Sequence, residues 1–189
     1  SSQRWLTAEE INSEATIERR GVGFHKPGMW DKVVDIHHCH LQADPSNAIR
    51  NFIRSYALEH NLSFFNPREQ EGFLRTLMIR TASTGEVMVL LQFFHEATND
   101  REALLQTLQN EFPTINCLLY CINNKANESL YDQEIVAYTE RTYIEEKMGD
   151  LTFRISAKSF YQTNSEQAEK LYHLVKDFAQ LQPNEIVYD

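Results

Sequence analysis

Cysteine is scarce in this 189-residue chain: Cys39, Cys117 and Cys121 are too few and too unevenly spaced for a disulfide framework, so a reducing compartment is the simpler setting. Basic residues are short too. Lys and Arg total 18 against 27 Asp and Glu, a formal net charge of −9, so the chain as a whole repels nucleic acid at long range and an RNA-binding surface would have to be a local patch or lie elsewhere. Apolar runs such as "EVMVLLQFF" are far too short for a bilayer, and "SSQRWLTAEE" has neither the basic start nor the apolar core of a signal peptide. The expectation is a soluble, cytoplasmic protein with no membrane partner. No low-complexity tract occurs, and 42% hydrophobic with 24% charged residues is a globular composition.

What is present alternates between strand-like and helix-like patterns. "GVGFHKPGMWDKVVDIHHCHLQ" reads as a hairpin around "KPGMWD". In "ADPSNAIRNFIRSYALEH", Asp44 is a candidate N-cap with Pro45 at the first helical position; Ile49, Phe52, Ile53, Tyr56 and Ala57 recur at helical spacing, leaving Arg50, Arg54 and Glu59 outside. "LRTLMIRTASTGEVMVLLQFF" reads as a second hairpin, and "NDREALLQTLQNEF" as a second helix capped by Asn99 or Asp100. A buried strand "INCLLYCINN" and further strands around "KMGD" complete an α+β domain, hairpin, helix, hairpin, helix around a mostly antiparallel sheet, over residues 1–157.

From residue 158 the character changes. Asn164 with Gln167 makes a capping-box-like start, and Ala168, Leu171, Leu174, Val175, Phe178 and Leu181 form one apolar helix face. "NEIVYD" then reads as a strand with no neighbour to follow, which a parallel sheet requires. The chain also opens on Ser1 rather than Met, so the expectation is a piece cut at both ends, whose last helix and strand pack on another molecule, stay disordered or dock irregularly.

The segment "FRISAKSFYQTNSEQAEKLY" followed by "IVYD" resembles the RNA (uracil-5-)-methyltransferases of the RumA/TrmA type. In that family an "S-x-x-S/D-F-x-Q-x-N" segment leads into the first helix of an S-adenosylmethionine-binding Rossmann-like domain, whose first strand reads "V-x-D". Ser156, Phe160, Gln162, Asn164, Val187 and Asp189 match. "LRTLMIRTASTGEVMV" and "GFHKPGMWDKVVDIHHC" resemble two further family segments, in the family's order. The resemblance implies that residues 158–189 begin a truncated Rossmann-like methyltransferase domain. It also implies S-adenosyl-L-methionine as cofactor, an RNA substrate, and methylation of uridine carbon 5. The "D-I-x-x-C" stretch resembles the branch acting on 23S ribosomal RNA. The family's nucleophilic Cys, Glu base and glycine-rich cofactor loop lie beyond Asp189, so no catalytic residue is assigned here and the piece alone is expected to be inactive.

Site residues follow with their plainer readings beside them. The resemblance makes Gln162 a cofactor contact, an amide able to donate and accept; a Gln bonding nearby backbone is the ordinary reading. Asn164 reads as a helix cap and Phe160 as packing. The run His37, His38, Cys39, His40 suggests a metal, but strand alternation would send His37 and Cys39 to one face and His38 and His40 to the other. The resemblance instead places Cys39 where cluster-bearing members carry the fourth ligand of a 4Fe-4S cluster; a buried thiol is the alternative. Cys117 and Cys121 read as core, Arg75 and Arg80 as residues of opposite strand faces, and Glu86 as turn chemistry. A non-catalytic α+β binding module and a small zinc protein built on the histidine run are the other readings.

Overall fold

A computed structural model describes residues 2–188. At the front, β1 (Ser2–Gln3) pairs antiparallel with β2 (Arg20–Gly21), and between them lies the single turn α1 (Ala8–Ile11). Thr7 and Glu10 close a reciprocal capping box on α1, satisfying two backbone donors that a short helix leaves open. β3 (Gly23–Lys26) and β4 (Met29–Asp35) form an antiparallel hairpin that turns at Gly28, whose φ of +80° suits a residue without Cβ.

α2 (Ser46–Glu59) follows, then β5 (Leu74–Thr81), β6 (Val87–Phe93), α3 (Thr98–Glu111), β7 (Ile115–Ile122) and β8 (Val136–Ala137). These four strands form one sheet in chain order. β5 and β6 are antiparallel, β6 and β7 are parallel with α3 as the crossover, and β7 and β8 are antiparallel. β9 (Tyr143–Met148) and β10 (Leu151–Ser156) make a separate hairpin, and α4 (Ser165–Ala179) closes the helical set.

β6 explains the layering. All of its residues are buried, as a central strand covered on both faces must be. Val87, Val89, Leu91 and Phe93 point into a core with Ile49, Ile53 and Ala57 of α2 and Leu104, Leu105 and Leu108 of α3. Met88 and Leu90 point the other way, onto Cys117, Leu119, Ile144, Ile155 and Ala157. The molecule is thus a mixed α+β fold: a helical layer, a mixed sheet, and the β9–β10 hairpin behind it.

Both expected helix caps are displaced. α2 begins at Ser46, after a cis Asp44–Pro45 bond, and has no side-chain cap from Asp44. Asn47 serves the preceding loop instead: its Oδ1 accepts from the Cys39 N–H at 2.8 Å and from Arg50 Nη2 at 2.7 Å. Arg50 is therefore buried at 4% exposure, and Arg54 pairs with Asp35 at 2.8 Å; neither faces open solvent as the helical wheel suggested. α3 starts at Thr98 with Ala97 at the cap, two residues before Asn99 and three before Asp100.

The end of the chain departs most. Asn164 caps α4 as expected, accepting from the Gln167 N–H at 3.0 Å. Yet Ala168 alone of the helix is buried, while Leu171, Val175 and Phe178 stand open at 52%, 56% and 79% exposure. Ile186, Val187 and Tyr188 form no strand and are exposed; Asp189 is outside the described residues. No helix among the described residues is long and apolar enough to cross a membrane.

Candidate functional site

A cleft of about 780 Å³ opens between the back of the sheet and the segment leading into α4. One wall is β5, through Met78 and Arg80. The floor comes from Ile144 and Glu146 of β9 with Ile155 of β10, and the opposite wall from the connecting residues 157–163, Gln162 among them. Burial of Ile155 and Ala157 in the core behind the sheet fixes where β10 ends, and so where the connector emerges.

Gln162 is exposed on the cleft wall, and its amide makes no hydrogen bond among the described residues. Phe160 is 83% exposed on the cleft rim, so it is not the packing residue expected. Tyr161 turns inward against the core, its ring 6.0 Å from Phe153 and its hydroxyl beside Ser165, and burial pushes its pKa above the usual phenol value. Arg80 donates from Nη2 to the Ser159 carbonyl at 2.9 Å, and burial pulls its guanidinium pKa down. Lys158 Nζ reaches the carbonyls of Tyr131 at 3.0 Å and Gln133 at 2.8 Å.

Glu146 is the residue that sequence reasoning missed. It is 2% exposed, yet its carboxylate accepts from the Ser83 N–H at 3.1 Å, the Ser83 hydroxyl, the Lys147 N–H at 3.0 Å and the Ser165 hydroxyl at 3.1 Å. A buried carboxylate without a cation is tolerable only because these donors replace its water. Its partners Ser83 and Ser165 lie 63 and 19 positions away, so no local pattern announces it.

Glu86 likewise exceeds turn chemistry. Arg141 donates to its two oxygens at 2.6 and 2.9 Å, and the Glu145 N–H adds a third bond at 2.7 Å. The Arg141 guanidinium holds the Glu86 carboxyl below the usual carboxylate range and ties the edge of β6 to β9. Arg75 is buried, donating to the carbonyls of Asn123, Lys125 and Asn127 with its guanidinium 4.4 Å from the Phe65 ring centre. It braces the 123–127 loop, whereas Arg80 faces the cleft.

The cysteines divide as expected in part. Cys117 and Cys121 are fully buried core thiols, each pushed up to about 11 by burial, which removes both as nucleophiles near neutral pH. The histidine run is not a strand: β4 stops at Asp35, and His37–His40 belong to the loop before α2, so strand alternation does not govern it. Among the described residues no three His, Cys, Asp or Glu side chains gather to hold a metal. Cys39 is a half-buried thiol in that loop.

Comparisons with known proteins agree with this architecture. No family model matches the chain. A protein of Porphyromonas gingivalis named an uncharacterized RNA methyltransferase is 51% identical over 195 aligned positions, covering the whole of this chain and 42% of that protein. Proteins of the same name from Bacteroides thetaiotaomicron and Chlorobaculum tepidum are 47% and 32% identical, again over the whole chain and over 42% and 40% of their own lengths. The crystal structure of the Pyrococcus abyssi tRNA (uracil-54, C5)-methyltransferase with S-adenosyl-L-homocysteine superposes with a TM-score of 0.65 at 26% identity, over 83% of this chain and 38% of that one. The chain is thus similar along its whole length to proteins named RNA methyltransferases, and over 83% of its length its fold is similar to that of a tRNA (uracil-54, C5)-methyltransferase. The chain spans about two fifths of the length of the relatives it matches.

Proposed function

We propose that this chain is the central domain, residues 1–157, and the opening of the S-adenosylmethionine-binding domain, residues 158–189, of an RNA methyltransferase that methylates carbon 5 of a uridine. The observation that carries the proposal is the cleft whose wall presents Gln162, in a chain related along its whole length to RNA methyltransferases. A cleft of about 780 Å³ is within the size of small-molecule sites, and an amide with no hydrogen-bond partner among the described residues can bond a polar ligand. The residues present therefore fit S-adenosylmethionine, which supplies an electrophilic methyl group when bound.

What this chain contributes is binding and orientation. The Gln162 amide bonds the cofactor, while the connector fixes its distance from β5 and β9. Attack at carbon 5 requires a nucleophile to add first at carbon 6 and a base to remove the carbon 5 proton. Those roles fall to the remainder of the enzyme, so the piece alone is inactive. The target uridine must leave its stack to reach the pocket. Cys39 is proposed as one ligand of a 4Fe-4S cluster completed outside these residues, and the protein as cytoplasmic.

The test is transfer of labelled methyl from S-adenosylmethionine to RNA by the full-length protein, with Gln162→Ala alongside. Label at uridine carbon 5, reduced about tenfold by the substitution, is expected; absence of transfer and of S-adenosylhomocysteine binding by the folded full-length protein would leave a non-catalytic binding module. The choice of 23S ribosomal RNA rests on the "D-I-x-x-C" stretch, and assaying it beside transfer RNA decides between them.

A further inference from the structure

Gln162 lies in the span 160–164, and what holds that span is unusual. Among the described residues no backbone hydrogen bond engages residues 160–163, so apart from the inward ring of Tyr161 their course is set by the two ends. At the front, Arg80 of β5 grips the Ser159 carbonyl at 2.9 Å, and Ser159 is itself locked to Ser156 by the Ser156 N–H to its Oγ at 3.0 Å and by its own N–H to the Ser156 carbonyl at 3.2 Å. At the back, the hydroxyl of Ser165, first residue of α4, donates to Glu146 Oε2 at 3.1 Å. Glu146 is immobilised independently of the span, by Ser83 and the Lys147 N–H. Its carboxylate also sits at the α4 N-terminus, where the helix dipole favours negative charge.

The front grip comes from a guanidinium, and the back grip from a carboxyl group that also accepts from Ser83 and the Lys147 N–H, so each end is held in a stiff geometry. The grips also come from separate layers: Arg80 from the mixed sheet, Glu146 from the hairpin behind it. We propose that Arg80 and Glu146 are positioning residues, a two-point clasp by which the central domain sets where the Gln162 amide projects into the cleft and hence the affinity for S-adenosylmethionine. The clasp rests on the reading of Gln162 as a cofactor contact.

The experiment uses the full-length protein carrying Arg80→Met, Glu146→Gln or Ser165→Ala, each alone and combined with Gln162→Ala, with Ser83→Ala as comparison. S-adenosylhomocysteine affinity is read by calorimetry, Tm by thermal unfolding, and KM apart from kcat by methyl transfer. Each clasp substitution is expected to weaken S-adenosylhomocysteine and raise the KM for S-adenosylmethionine about tenfold, with kcat within about twofold, and to add nothing on the Gln162→Ala background, because residues acting as one unit are not additive. Ser83→Ala is expected to lower Tm and leave affinity unchanged, since the Ser83 N–H still holds Glu146. Ser165→Ala is the mildest variant and keeps the test open should the charged substitutions unfold the protein. Folded clasp variants that bind S-adenosylhomocysteine like the parent, or whose effects multiply with that of Gln162→Ala, overturn the clasp alone. Unchanged binding by Gln162→Ala overturns the ligand reading, and the clasp with it.

Discussion

β6 and α4 carry equally clear apolar patterns and meet opposite fates. Every residue of β6 is buried, with neighbouring strands on both edges and apolar layers on both faces. α4 buries Ala168 alone, and the row Leu171, Val175, Phe178 meets solvent. Periodicity states which face of an element is apolar; it says nothing about whether a partner is there to cover it. The contrast separates two kinds of stabilisation, because large contributions need both a suitable side chain and a site that closes around it.

The sharpest way to break this comparison is at Leu90, which is fully buried behind the sheet. Leu90→Ala is expected to destabilise the chain by about 2–5 kcal/mol in urea unfolding, as for other buried leucines. A loss below about 1 kcal/mol would mean that the region behind the sheet packs loosely. Next comes Arg141→Met, which leaves Glu86 accepting only the Glu145 N–H and is expected to cost about 1–3 kcal/mol at pH 7. Because the folded-state pKa of Glu86 is lowered, the stability it contributes is present above the unfolded carboxylate pKa of about 4.3 and is lost as pH falls through the folded value. The parent should therefore lose more stability than Arg141→Met on going below pH 4. Equal acid sensitivity would remove Glu86 from the account.

Thiol chemistry tests the same division without mutation. At pH 7.5, iodoacetamide is expected to label half-buried Cys39 first, and Cys117 and Cys121 only on unfolding, read by mass spectrometry. Early labelling of Cys117 would show that β7 opens. The smallest effect belongs to α4: Phe178→Ala in this chain is expected to change stability by no more than about 0.5 kcal/mol. A loss above about 1 kcal/mol would reveal a hidden partner, such as a second copy covering the face.

Much of the fold was legible because it rests on local signals. The β3–β4 hairpin, the apolar run of β6, the core placement of Cys117 and Cys121, and the Asn164 cap each follow from neighbouring residues. The failures have a shared cause. Asp44 and Asp100 looked like caps, but tertiary contacts moved both helix starts; Arg50 and Arg54 looked solvent-facing until the loop after β4 and Asp35 claimed them. Of the candidate site, Gln162 was singled out by a motif, and it lines the cleft. Glu146, and the joining of Glu86 to Arg141, depend on pairs far apart in the chain. The terminal "IVY" has strand chemistry but no strand, because pairing needs a second participant.

The strands β5, β6, β7 and β8 lie in the sheet in the order in which they are synthesised. Each new strand can therefore dock on an edge already laid down, so assembly can keep pace with a ribosome, which releases a segment of this size on the order of seconds. The β9–β10 hairpin then closes the back, and α4 emerges last of these elements.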